Sequence, residues 1–162
     1  MTHGLTPRFW RPGALLLLAV LLVSSLRAEG LPAAYQHLSV EDCRTSIYIG
    51  SVGMRLGAFE YKDGHYQAYY QARVIPFIFY NEEGSLTVDF DEQQLARLQA
   101  GERVDFEGQG RNRKGETRRI SGTAMPEGPK AGKIKVRVWV SKNIQLIFNT
   151  RYSFSPAPEL HH

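Results

Sequence analysis

The densest run of chemically active side chains is Gly108 to Arg119, GQGRNRKGETRR. Arg111, Arg113, Lys114, Arg118 and Arg119 crowd a glycine-rich tip, a composition suited to an anionic surface such as a polysaccharide or lipid head groups. Gly110 and Gly115 stand at phosphate-loop spacing, but Glu116 occupies the place of the required lysine. Strand-like sequence also flanks both sides, whereas a phosphate loop joins a strand to a helix, so a nucleotide site is excluded. The competing reading is a solvated hairpin tip, because charge runs most often face water.

The second cluster is aromatic. Ten tyrosines and phenylalanines lie between Tyr48 and Phe90. Most such residues fill strand cores, yet a phenol adds a polar handle suited to an amphipathic ligand. Tyr66, Tyr69, Tyr70 and Trp139 are the candidate ligand-binding residues. Tyr69 and Trp139 fall on the polar faces of their strands, and Trp139 next to Arg137 would also serve as a partner-binding anchor.

Catalysis finds little footing. His37 and His65 are isolated, Glu82-Glu83 reads as a turn rather than an acid–base pair, and no serine sits in a G-x-S-x-G setting. His161-His162 lack companions at ligand spacing, so no metal or other cofactor is expected. Cys43 is the single cysteine, which rules out an intrachain disulfide and leaves a buried thiol or an intermolecular pairing site.

Arg8 and Arg11, the apolar run Ala14 to Val23 and the small residues up to Ala28 are expected to form a signal peptide, residues 1–28, cleaved near Ala28. The run falls short of the roughly 20 apolar residues of a spanning helix. Export to the periplasm or the medium is therefore expected, with no transmembrane helix in the mature chain; an uncleaved anchor is the alternative. That segment carries three arginines and no acid, so the remaining chain is close to neutral, which disfavours nucleic acid as partner. Residues 29–102 hold 5 basic and 11 acidic groups, residues 103–151 hold 12 and 4, and the two halves are expected mainly to pair internally.

The elements that must position these residues are mostly strands. In Lys133 to Phe154 the even residues are apolar on both sides of Ser141-Lys142-Asn143, which predicts a hairpin with Val140 opposite Ile144, Val138 opposite Leu146 and Val136 opposite Phe148. Asn143 is the expected left-handed residue of that loop. Asp63-Gly64 predicts a second hairpin, between Met54–Tyr61 and His65–Val74. Leu86–Phe90, Val104–Gly110 and Thr117–Ala124 follow as strands, with Gly108, Gly110, Gly122 and Ala124 inward as signs of strong curvature. Residues 91–100 form the one helix, capped by Asp91 with Gln94 reciprocating and ended by Gly101. Glu29–Gln36 reads as a loose lead-in, Ser39–Asp42 as a capped helical turn, Thr45–Ile49 as a strand, and Met125–Gly132 as a loop.

The expected fold is an antiparallel barrel or sandwich of seven or eight strands in one domain, 29–154, with a disordered tail over 155–162. The leading expectation for function is an exported binding protein, for an amphipathic small molecule or an anionic surface. A structural or interaction module of the cell envelope is the alternative. The ending Tyr152-x-Phe154 resembles the closing strand of outer-membrane barrels, but Lys133, Lys135 and Arg137 would then face lipid at high cost. An enzyme ranks lowest.

Overall fold

The computed structural model describes residues 32–156; the expected signal peptide, 1–28, and residues 157–162 of the expected tail lie outside them. Ten strand segments are present: β1 (His37–Val40), β2 (Cys43–Ile47), β3 (Gly50–Leu56), β4 (Phe59–Lys62), β5 (His65–Ile75), β6 (Glu82–Asp89), β7 (Val104–Asn112), β8 (Thr117–Gly128), β9 (Ala131–Trp139) and β10 (Gln145–Ser155). They build eight staves, because β1 with β2 and β3 with β4 each act as one bent strand. The β1–β4 and β2–β3 pairings continue in a single register. Every neighbouring pair is antiparallel, and β1 against β10 joins first stave to last. The result is a closed barrel rather than a sandwich, a meander whose connections all run between adjacent staves.

Two breaks lie at the same level of the first two staves. Glu41 and Asp42 both point outward, as do Gly57 and Ala58. The inward face therefore changes parity at each break: Leu38 and Val40 give way to Cys43 and Ile47, and Met54 and Leu56 to Phe59 and Tyr61. One extra residue in each stave lets both bend, and the pairing lapses over 39–42 and 55–58 and resumes in the same register beyond them. This splits the expected Met54–Tyr61 strand in two.

The hairpin β9–β10 has the expected register, Val138 facing Leu146 and Val136 facing Phe148. Asn143, however, is not left-handed; among the described residues only Asp63 is a non-glycine with positive φ. The loop closes instead through Val140 N–H donating to the Ile144 carbonyl, with the Ser141 hydroxyl accepting from the Asn143 amide. Asp63 and Gly64, at φ 52° and 86°, form the tight β4–β5 turn that their sequence predicted.

Other local readings are corrected. Ser39–Asp42 is not a helical turn: β1 supplies the partner that β10 needs to close the sheet, and an unpaired edge there would cost more than a capped turn returns. The lead-in holds a 3-10 turn, Ala33–Tyr35, whose buried Tyr35 donates its hydroxyl to the Pro129 carbonyl at 3.0 Å. Residues 125–132 are strand on both sides of a two-residue turn, and Pro126 is accommodated at a bulge where no ladder N–H is required. Glu82 to Gly84 belong to β6: all three pair with β5, and Gly84 also pairs with Asn112 of β7.

Helix α1 (Glu92–Gln99) has the predicted capping box, Asp91 accepting from the Gln94 amide at 2.7 Å and Gln94 from the Asp91 amide at 2.8 Å. Leu95 and Leu98 are buried, so its apolar side covers one end of the barrel together with Tyr35. Gly122 shows why small inward residues were needed. A Cβ there would come within 2.1 Å of the Phe106 ring and 2.8 Å of the Lys135 carbonyl. Gly122→Ala should therefore lower stability by about 1–3 kcal/mol, the usual cost of overpacking, read as a urea midpoint shift without a change in slope.

Candidate functional site

The barrel has two unlike halves. At the end covered by α1, inward positions are large aromatics: Phe59, Tyr66, Phe106 and Phe154 are buried. They pack ring on ring, Tyr66 lying 6.0 Å from Phe154 and 6.4 Å from Phe90 between centroids. Toward the other end inward positions are slender: Val40, Cys43, Met54, Ala72, Val136 and Leu146 are only partly buried. Smaller side chains on a wall of fixed circumference leave space. The consequence is a cavity of about 1090 Å3, floored by the aromatic layer and open at the end formed by residues 48–49, 76–81, 113–116 and 141–144.

Its lining is mainly apolar, and below the rim its charged groups gather in one patch of wall. Glu82 opens β6, Asn112 ends β7 and Arg118 lies near the start of β8, all on inward positions of neighbouring staves. The Arg118 Nη2 donates to Glu82 Oε2 at 2.8 Å and to Glu116 Oε2 at 2.6 Å. Asn112 Nδ2 donates to the same two oxygens at 3.0 and 2.9 Å, and the Tyr70 hydroxyl donates to Glu82 Oε1 at 2.6 Å. Asn112 Oδ1 also accepts from the Lys114 and Glu116 amides, which fixes the β7–β8 tip. Burial pushes the Glu82 carboxyl up, but the hydrogen bonds from Arg118, Tyr70 and Asn112 outweigh it and the group ends below its ordinary value. Hydrogen bonds from Asn112 and then Arg118 lower Glu116 as well. Arg118 Nε is buried and has no partner among the described residues, so one donor of the guanidinium is unspent.

The candidate residues separate into inside and outside. Tyr66 and Tyr70 line the cavity, Tyr66 deep, donating to the Tyr35 carbonyl at 2.5 Å, and Tyr70 at the polar patch. Tyr69 is on the outer wall, its hydroxyl on Glu83 at 2.5 Å. Trp139 is also outside, half-buried under Arg119, whose guanidinium carbon lies 5.1 Å from the ring centre. The five cations likewise do not share a face. Arg118 points inward, Arg113 and Lys114 sit at the rim, and Arg111 and Arg119 are on the outer wall. Arg113 pairs with Glu83 and Arg119 with Glu107. Glu82–Arg118 and Glu83–Arg113 join the acidic and basic halves of the chain, although Glu127 binds Lys133 and Arg151 within the basic half.

Glu82, Glu116 and Asn112 escaped the sequence reading. The signal was parity: Glu82 and Gly84 are in phase with Leu86 and Val88, and Asn112 with Val104 to Gly110, but Asn81–Gly84 has turn composition and masked it. His65 Nδ1 lies 2.8 Å from Asp89 Oδ1 as an exposed pair on the outer wall, away from the cavity. Among the described residues no group of three or more His, Cys, Asp or Glu could hold a metal ion.

Cys43 is half-buried and faces the cavity. Burial, and then the Asp42 carboxylate, push its thiol up to about 11. Only the thiolate is nucleophilic, so near neutral pH roughly 100-fold less of it is present than for an ordinary thiol. Alkylation of the folded chain by iodoacetamide, followed by mass spectrometry, should be at least that much slower than in urea. It should climb about tenfold per pH unit up to pH 10.

The chain matches no protein-family model, and comparison with curated proteins and with solved structures yields no match.

Proposed function

We propose that the barrel binds one mainly apolar small molecule, with its apolar part in the cavity and a neutral polar end at the Arg118–Glu82 patch. The observation that carries this is the open, apolar cavity of about 1090 Å3, a volume at the top of the range of small-molecule sites. An eight-stranded barrel is just wide enough either to fill with side chains or to hold one small ligand. Here half of it is filled and half is not.

The patch favours a hydroxyl or carbonyl end over a carboxylate. Two carboxylates held ionised already share the one guanidinium, so a third would be repelled, whereas an uncharged oxygen can accept from Arg118 Nε. The outer wall, with Lys133, Lys135, Arg137 and Arg151, is polar where a membrane barrel would be apolar, and this argues for the interior as the binding surface. No helix among the described residues is long and apolar enough to cross a membrane. Export remains part of the proposal and rests on residues 1–28 alone. The anionic-surface and envelope-module readings have less support, because the cations of 111–119 are divided between inner and outer faces.

The test is displacement of N-phenyl-1-naphthylamine, a dye that fluoresces in apolar surroundings, by straight-chain alcohols. Affinity should rise about fourfold per added methylene, the factor equivalent to roughly 0.8 kcal/mol, and level off when the cavity is full. Alkanoates of equal length should bind more weakly. A dye signal absent from the folded chain, or indifferent to chain length, would defeat the proposal.

A further inference from the structure

The open end carries an exposed apolar rim. Seven of the ten exposed large apolar residues among the described ones are found there: Tyr48, Ile49, Ile75, Ile78, Phe79, Tyr80 and Ile144. They come from three separate connections, so no single loop accounts for them. Phe79 and Tyr80 are 71% and 67% exposed although their rings touch, with centroids 4.5 Å apart. Among the described residues the other end of the barrel has no such feature; its tips are Lys62–Gly64, the capped helix and Pro129-Lys130. Apolar surface gathered on one rim is unfavourable in water and marks a contact surface.

The charges at this rim identify the occupant. The three acidic groups, Glu82, Glu83 and Glu116, are engaged by Arg118 and Arg113. Lys114 and Lys142 stand at the same rim and make no ion pair among the described residues. The rim is therefore apolar tips, two of them tyrosines, interspersed with uncompensated cations, the composition of an interfacial membrane contact. We infer that the open end docks on the surface of a bilayer containing anionic lipid, its apolar tips inserted among the head groups. In that pose the cavity opens toward the acyl chains, and an apolar ligand passes between membrane and barrel without crossing water. This last consequence rests on the binding proposal; the docking itself does not.

The experiment uses the full chain carrying Cys43→Ala, with a nitrobenzoxadiazole label on Ile78→Cys at the rim or, as control, on Asp63→Cys at the opposite end. A position-specific label is needed because the apolar run at 14–23 could itself associate with vesicles. With vesicles of phosphatidylcholine and phosphatidylglycerol, the label at 78 should brighten several-fold and shift to the blue, while that at 63 stays unchanged. Lys114→Gln with Lys142→Gln should weaken the response roughly 25-fold, about fivefold per cation near an anionic surface. Three outcomes would overturn the inference. The label at 78 could ignore saturating vesicles, respond equally to phosphatidylcholine alone, or brighten with protein concentration without vesicles, which would mean that a second copy covers the rim. Dye binding in the barrel, measured without lipid, is independent of all of these, so failure of one proposal is separable from failure of the other.

Discussion

Ala72→Trp combined with Val136→Phe should weaken binding of N-phenyl-1-naphthylamine by at least about 100-fold, or roughly 2.7 kcal/mol, while leaving the chain folded. The two positions lie on β5 and β9, four staves apart in a ring of eight, so the new rings enter from opposite walls. Both line the cavity and both are only partly buried. In a filled core, two such enlargements would each cost about 1–3 kcal/mol. In a hollow one the rings find space and bring apolar surface out of water, so the urea midpoint should hold or rise. The pair of readouts is decisive. Lost binding with retained stability locates the dye in the barrel, whereas unchanged binding would move it to the outer wall or the rim.

The second large effect is on stability. Arg118→Met should cost about 2–3 kcal/mol at pH 7, somewhat less than the loss of one partner from a fully buried pair, because both side chains retain some exposure. Glu82 and Glu116 would be left side by side with no cation between them. Adding Glu82→Gln to that variant should recover much of the loss. The pH dependence has a definite sign. Glu82 in the folded chain lies below its ordinary value, so the stability it contributes is complete above the ordinary carboxylate range near pH 4.3 and is lost as pH falls through the folded value. Wild type should therefore lose stability on acidification from pH 5 to pH 3. Arg118→Met should lose less over the same range, since protonation there relieves an unpaired charge, and the two urea midpoints should converge. Parallel curves would mean that Arg118 acts by packing alone.

How much of this was legible in the sequence depended on the distance over which the signal acts. The β9–β10 register followed from parity within 22 residues, and the β4–β5 turn and the helix caps from three or four residues each. Ser39–Asp42 misled because its local pattern satisfies a capped turn, and only the distant β10 reveals that β1 must close the sheet. The cavity was not legible at all. Alternation shows that Ala72 and Val136 face inward, but whether space remains depends on side-chain volumes summed around eight staves. The polar patch fell between these cases: its members are in phase with their strands, yet Glu82 and Arg118 are 36 residues apart and meet only because β6, β7 and β8 are consecutive.

The paired breaks at 41–42 and 57–58 bear on how this chain can change length over generations. Each stave carries one residue more than a regular strand, and the two staves keep one register on either side of the unpaired stretches 39–42 and 55–58 because both surpluses fall within them. Deleting Asp42 alone, or Ala58 alone, would leave one surplus unmatched and force an irregularity into a register that now has none. Deleting both would keep the two staves in step. Shortened descendants of this chain are thus expected to have lost the two residues together, as a linked pair of deletions sixteen positions apart.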